Sequence, residues 1–198
     1  LKEVWSKLGH LSREKHAWAT ALGAVASYGT GTAFQAAWGQ DLISRVFGFD
    51  KYTVSIYLMI LALSFTVSAP LVGIVSDRVI GRRKPVLVAS NTASTISWTT
   101  IILSILLHSD VILLLSLILL GVSMGLHIVA PPMAKEPYGA DYSATATSFF
   151  NLVLFTGIAV LQSTEPFVGP LFNSLLSVVV SVIGLTMVLA WSRETLNS

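Results

Sequence analysis

The chain has 198 residues, 54% of them hydrophobic and 11% charged, with a mean hydropathy of +0.75. Soluble domains carry about 25% charged residues, so this composition excludes a water-facing globule and points to a chain embedded in a bilayer. A formal charge of +2 with no basic stripe among aromatics excludes nucleic-acid binding, and the absence of cysteine excludes disulfides and thiolate metal sites.

In chain order, residues 1–16 (LKEVWSKLGHLSREKH) come first. They place Leu1, Trp5, Leu8 and Leu11 on one helical face and cations elsewhere, which is the pattern of an interfacial helix. The stretch is not a signal peptide, and with Leu rather than Met at position 1 the chain reads as a processed product or a piece of something longer. A hydrocarbon core of ~30 Å needs about 20 apolar residues in a helix. Six segments meet that test, near 17–39, 53–77, 86–107, 111–134, 142–162 and 171–192. The expected organisation is therefore an all-α membrane protein: an interfacial segment (1–16), a six-helix transmembrane bundle (17–192) and a short tail (193–198). The connectors are QDLISRVFGFDK, GIVSDRVIGRRK, HSD, KEPYGAD and STEPFVGP. The third is so short that spans 3 and 4 must form an antiparallel hairpin.

Orientation follows from the cations. Lys2, Lys7, Arg13, Lys15, Arg78, Arg82, Arg83, Lys84, Lys135 and Arg193 fall on one side, ten of the twelve, and only Arg45 and Lys51 fall on the other. Both termini are expected in the cytoplasm of a cell whose plasma or inner membrane holds this multi-pass protein.

The second connector is unusual. Asp77 stands at a helix C-terminus and Arg82, Arg83 and Lys84 at a helix N-terminus, each against the local dipole, so partners elsewhere are expected. Pro85 suits the first turn of the next helix. The run Gly73-Ile-Val-Ser-Asp77-Arg78-Val-Ile-Gly81-Arg82-Arg83-Lys84 resembles the loop signature between the second and third helices of major facilitator superfamily transporters, roughly G-x-L-x-D-R-x-G-R-R. It departs by one extra residue before Gly81 and by Val75 in place of Leu. TATSFFNLVLFTGIAVLQSTEPFVG (145–169) is similar to the family's eleventh helix, AFQAAWGQDLISRVFGFDK (33–51) to the exit of its seventh, and WSRETLNS to its closing tail. An Arg motif on helix 4 and a Gly-Pro motif on helix 5, typical of first halves, are missing. The resemblance thus implies the C-terminal six-helix half of such a transporter, built as a 3+3 inverted repeat, with the other half or a second copy as partner. It also implies a conformational latch formed by Gly73, Asp77, Arg78, Gly81, Arg82 and Arg83, whose Asp and Arg grip helix ends in one conformation. The position of Asp77 against the helix dipole leads us to expect its grip to be specific, whereas Arg83→Gln should matter little if Arg83 serves only retention.

Polar residues inside spans are where function is expected. Span 1 carries Tyr28, Thr32 and Gln35 on one face, span 4 carries Ser123 and His127, and span 5 carries Thr147, Asn151 and Gln162. The resemblance implies that spans 1, 2, 4 and 5 surround the substrate cavity. Tyr28, Gln35, Ser123, His127 and Asn151 are the expected lining, with Tyr28, Ser123 and Asn151 near mid-membrane. Small residues four apart mark packing faces: Ala19, Gly23, Ser27 and Gly31, Ser64 and Ser68, Ala69 and Gly73, Gly121 and Gly125. GVSMG (121–125) matches G-x-S-x-G, but a nucleophile elbow needs a strand-to-helix turn, and this match lies in an apolar helix. No Walker loop, dinucleotide fingerprint or metal-ligand cluster occurs, so neither an enzyme nor a cofactor is expected. The expected function is secondary active transport of a small solute by alternating access. A non-transporting receptor or assembly factor is the alternative, and an intramembrane serine hydrolase a remote one.

Overall fold

A computed structural model of the chain describes residues 2–164 and 168–196, and of Lys2 and Glu3 the backbone only. Most of the described residues are helical. Helix α1 (Lys2–Leu11) lies ahead of the bundle. Helix α2 (residues 15–47) runs from Lys15–Ala24 through π-type turns at Val25–Gly29 and Phe34–Trp38 to Gly39–Phe47. Then come α3 (Lys51–Ile80), α4 (Lys84–Leu107), α5 (Asp110–Tyr138), α6 (Ala140–Ser163) and α7 (Pro170–Trp191).

Five helices among the described residues, α3 to α7, are long and apolar enough to cross a membrane. The first expected span is less apolar. Gly23, Ser27, Tyr28, Gly29, Thr30, Gly31 and Thr32 crowd the middle of α2, because that helix is buried among its neighbours rather than facing lipid. Six expected spans are thus five apolar helices and one small-residue helix.

Helices also run further than their apolar stretches. Most of QDLISRVFGFDK is helical until Gly48, whose φ of 70° ends α2 in the left-handed region. Most of GIVSDRVIGRRK continues α3 as a π-type turn, Val75–Ile80, until Gly81 at φ 61°. The Asp50 carboxylate accepts the Thr53 N–H at 3.1 Å and starts α3. Ser109 caps α5 in the same way, 3.4 Å from the Ile112 N–H, and closes the short α4–α5 hairpin. Of STEPFVGP, residues 165–167 lie outside those described.

Helix α5 lies along both α3 and α4. Helix α4 packs on α7, α7 on α2, α2 on α6, and α1 rests on α6. At Gly121 and Gly125, α5 comes so close to Leu61 and Ser68 of α3 that a Cβ would collide with them. Gly73, by contrast, has open space around its Cα. Helix α2 is tied to its neighbours by hydrogen bonds as well as packing. The Ala26 carbonyl accepts from Ser94 (3.0 Å) and Ser181 (3.2 Å), and the Trp98 indole N–H donates to Thr30 at 3.0 Å.

Candidate functional site

The first π-type turn puts Tyr28 on the side of α2 that meets α3 and α5. A π-type turn widens a helix locally and shifts the facing of the residues it carries, and such turns are frequent at functional sites. The Tyr28 ring stacks on His127, with centroids 4.2 Å apart and 17° between planes, and Phe65 of α3 approaches it at 5.8 Å. Tyr28 is half-buried and His127 buried. His127 begins the 3₁₀ turn His127–Val129 within α5, with Nδ1 against the Met124 carbonyl. Three helices thus converge on one aromatic–imidazole stack, two of them at a departure from regular α geometry.

The other expected lining residues stand apart from this stack. Ser123 is fully buried, its hydroxyl donating to the Leu120 carbonyl at 2.8 Å, while its own carbonyl accepts from Ser90 of α4. Its hydroxyl and the His127 ring bond to different carbonyls, so GVSMG holds no Ser–His pair. Asn151 is exposed on α6 beside exposed Leu152 and Phe155, and Gln35 is half-buried in the second π-type turn. Thr32 keeps a buried hydroxyl without a partner among the described residues. Among those residues no cluster of His, Asp and Glu is arranged to hold a metal ion.

The second constellation lies at the end of the bundle where most cations collect. Arg83, 11% exposed, pairs with Glu136 at the end of α5 and with Asp77, 3.6 Å away and 54% exposed. Its backbone N–H donates to one Glu194 oxygen at 2.8 Å, and the Lys84 N–H donates to the other at 3.2 Å. A carboxylate from the C-terminal tail therefore caps α4 and offsets the cations gathered at that helix start. The Lys84 ammonium donates to the Ser192 (2.7 Å) and Leu189 (3.2 Å) carbonyls at the end of α7. Burial works to raise the Glu194 carboxyl, but N–H groups of Arg83, Thr195, Leu196 and Lys84 outweigh it and hold the group below the usual glutamate range.

Within the loop Asp77 pairs with Arg83, which also reaches Glu136. The expectation gives Asp77 the grip on a neighbouring helix end and leaves Arg83 as a plain retention cation. The long Arg83 side chain reaches inward and joins Asp77 to α5, while the short Asp77 side chain stays near solvent and the Arg83 backbone N–H meets the tail. Arg78 and Arg82 are exposed, and the Gly81 N–H closes the turn on the Ser76 carbonyl at 2.9 Å.

His16 completes this end, and no motif in the sequence marks it. It is buried at the start of α2. Its Nδ1 accepts the Arg193 N–H at 2.9 Å, which makes Nε2 the donor to the Met133 carbonyl at 3.0 Å. The ring is thereby neutral and of one tautomer. Burial pushes its pKa below the ordinary imidazole value, and Arg193 and Lys84 add to the effect against Glu14 and the Met133 hydrogen bond.

Long apolar helices around a small-residue helix, with cations gathered at one end, define an integral, multi-pass membrane protein. The model for the Major Facilitator Superfamily, a family of membrane transporters, matches residues 20–196, and the chain belongs to that family. A search of curated proteins found no match to it.

Proposed function

We propose that the chain is one six-helix half of a secondary transporter that moves a small solute by alternating access. Tyr28 and His127 form the polar centre of the solute path, Gln35 and Asn151 flank it, and Ser123 supports it from behind. The observation that carries this reading is the Tyr28–His127 stack, which sets a hydroxyl and an imidazole where α2, α3 and α5 meet. Intramembrane ionisable groups are costly in hydrocarbon and are kept where they face a partner or water. The charged end faces the cytoplasm, with both termini, and the membrane is the plasma or inner membrane. The segment ahead of the bundle lies at the interface, and residues 193–196 dock beneath the bundle. The exposed apolar stripe of α3, Met59, Leu63 and Val67, is the surface that the other half, or a second copy, would cover.

The test is accessibility. The chain has no cysteine, so Tyr28→Cys and His127→Cys give unique labels. In membranes, both are expected to react with a water-soluble maleimide. If they react only after the membrane is dissolved, the residues face lipid or packed protein and this solute path is wrong.

A further inference from the structure

A crevice of about 220 Å³ opens between α3 and α4 at the charged end, lined by Leu71, Val75, Val86, Ala89 and Leu126 with no charged side chain. It meets a second, wider crevice of about 770 Å³ whose walls include Gly81, Arg82, Lys84 and Glu194. The two share Ile80 and Pro85 as walls, so an apolar slot and a charged mouth lie side by side.

The charges of the mouth are unequally committed. Both Glu194 oxygens accept backbone N–H groups, and the Lys84 ammonium is held by two carbonyls. Arg82 is exposed and makes no hydrogen bond or ion pair among the described residues. A guanidinium held at the rim of an apolar slot matches a molecule with a phosphate at one end and a hydrocarbon chain at the other. The level is right as well. Val79 and Ile80 are exposed apolar residues directly beside the cations, which marks the boundary between acyl chains and headgroups. Basic pockets at the ends of transmembrane helices take anionic headgroups.

We infer that this double crevice is a binding site for an anionic phospholipid, its phosphate on Arg82 and part of one acyl chain in the slot between α3 and α4. Seated there, the lipid would lie against the turn that carries Asp77 and Arg83 and would stiffen it. The site needs the membrane only, so it stands or falls separately from the solute path.

The experiment uses the full chain purified in mild detergent and native mass spectrometry with phosphatidylglycerol and phosphatidylcholine of matched acyl chains. The wild type is expected to retain phosphatidylglycerol about fivefold better, the size of one cation near an anionic headgroup. Arg82→Gln should remove that preference and Arg82→Lys should keep most of it. Ala89→Phe, which fills the slot, should lower retention of both lipids, and excess glycerol phosphate should displace neither. Equal retention of the two lipids by the wild type overturns the proposal, and so does an unchanged preference in Arg82→Gln. Displacement by glycerol phosphate would assign the mouth to a free phosphate and would overturn it too.

Discussion

At the charged end, helices are joined by side chains that reach far along the sequence. Arg83 meets Glu136 across 53 residues, Glu194 caps α4 across 111, and His16 holds Arg193 across 177. At the opposite end the ion pair and the helix caps are local: Arg45 with Asp41 one turn away at 2.6 Å, Asp50 and Ser109 each capping their own helix. There the long-range cohesion comes from rings. Trp38 stacks on Trp98 at 5.4 Å, Phe34 meets both, and Phe49 reaches Tyr57 at 5.3 Å. Rings packed together hold through many small, undirected contacts. Charge-assisted hydrogen bonds hold through a few directed ones. One end can therefore be released by moving or protonating a few groups, and the other only by repacking.

Trp98→Ala should have the largest effect. The ring is 0% exposed, and its removal leaves a cavity and takes away the N–H that the Thr30 hydroxyl accepts. A loss of about 3–5 kcal/mol is expected, read as a large drop in thermal midpoint in detergent. Trp98→Phe should recover most of it. At the charged end Arg83→Gln is next, at about 1–3 kcal/mol, since it strands Glu136. Asp77→Asn should cost at most about 1 kcal/mol, because that carboxylate is largely in solvent. If Asp77→Asn proves the more damaging of the two, Arg83 is not the hub. Glu194→Gln should lose about 1 kcal/mol, the size of a helix cap, and raise hydrogen exchange at the start of α4.

The smallest effect is a pH response. The folded-state pKa of His16 is lowered, so its contribution is full above the unfolded value near 6.5 and is lost as pH falls through the folded one. The Arg193 amide, which donates to Nδ1, should then exchange faster once corrected for intrinsic rate. In His16→Gln that acid-induced step should vanish. Glu194, whose carboxyl is held below the usual glutamate range, keeps its cap until the pH falls through that lowered value.

The spans are legible in the composition because lipid demands apolar length, and the loop signature is legible because its glycines and charges are close in sequence. The helix ends are less so. Gly48 and Gly81, not the polar residues before them, stop α2 and α3, so the segments around Asp41 and Asp77 stay helical. The partners of Arg83 are out of reach of sequence reasoning because no local pattern links position 83 to 136 or 194. Ser90, Ser94 and Ser97 on α4 are different, being buried at helical spacing. That spacing is a small polar stripe in the sequence, a signal strong enough by itself to mark α4 as a packing helix.

The measurement that bears most directly on the two-ended account is a pair of distance distributions from spin labels on the otherwise cysteine-free chain. One pair, Val79→Cys with Ala144→Cys, reports the charged end, and the other, Tyr52→Cys with Val111→Cys, reports the opposite end; of the four positions Val79, Tyr52 and Val111 are exposed and Ala144 is exposed at the start of α6. With Arg83→Gln added, the first distribution should broaden or shift while the second keeps its width and centre. If both change together, or neither changes, the charged end is no separable latch and the account fails.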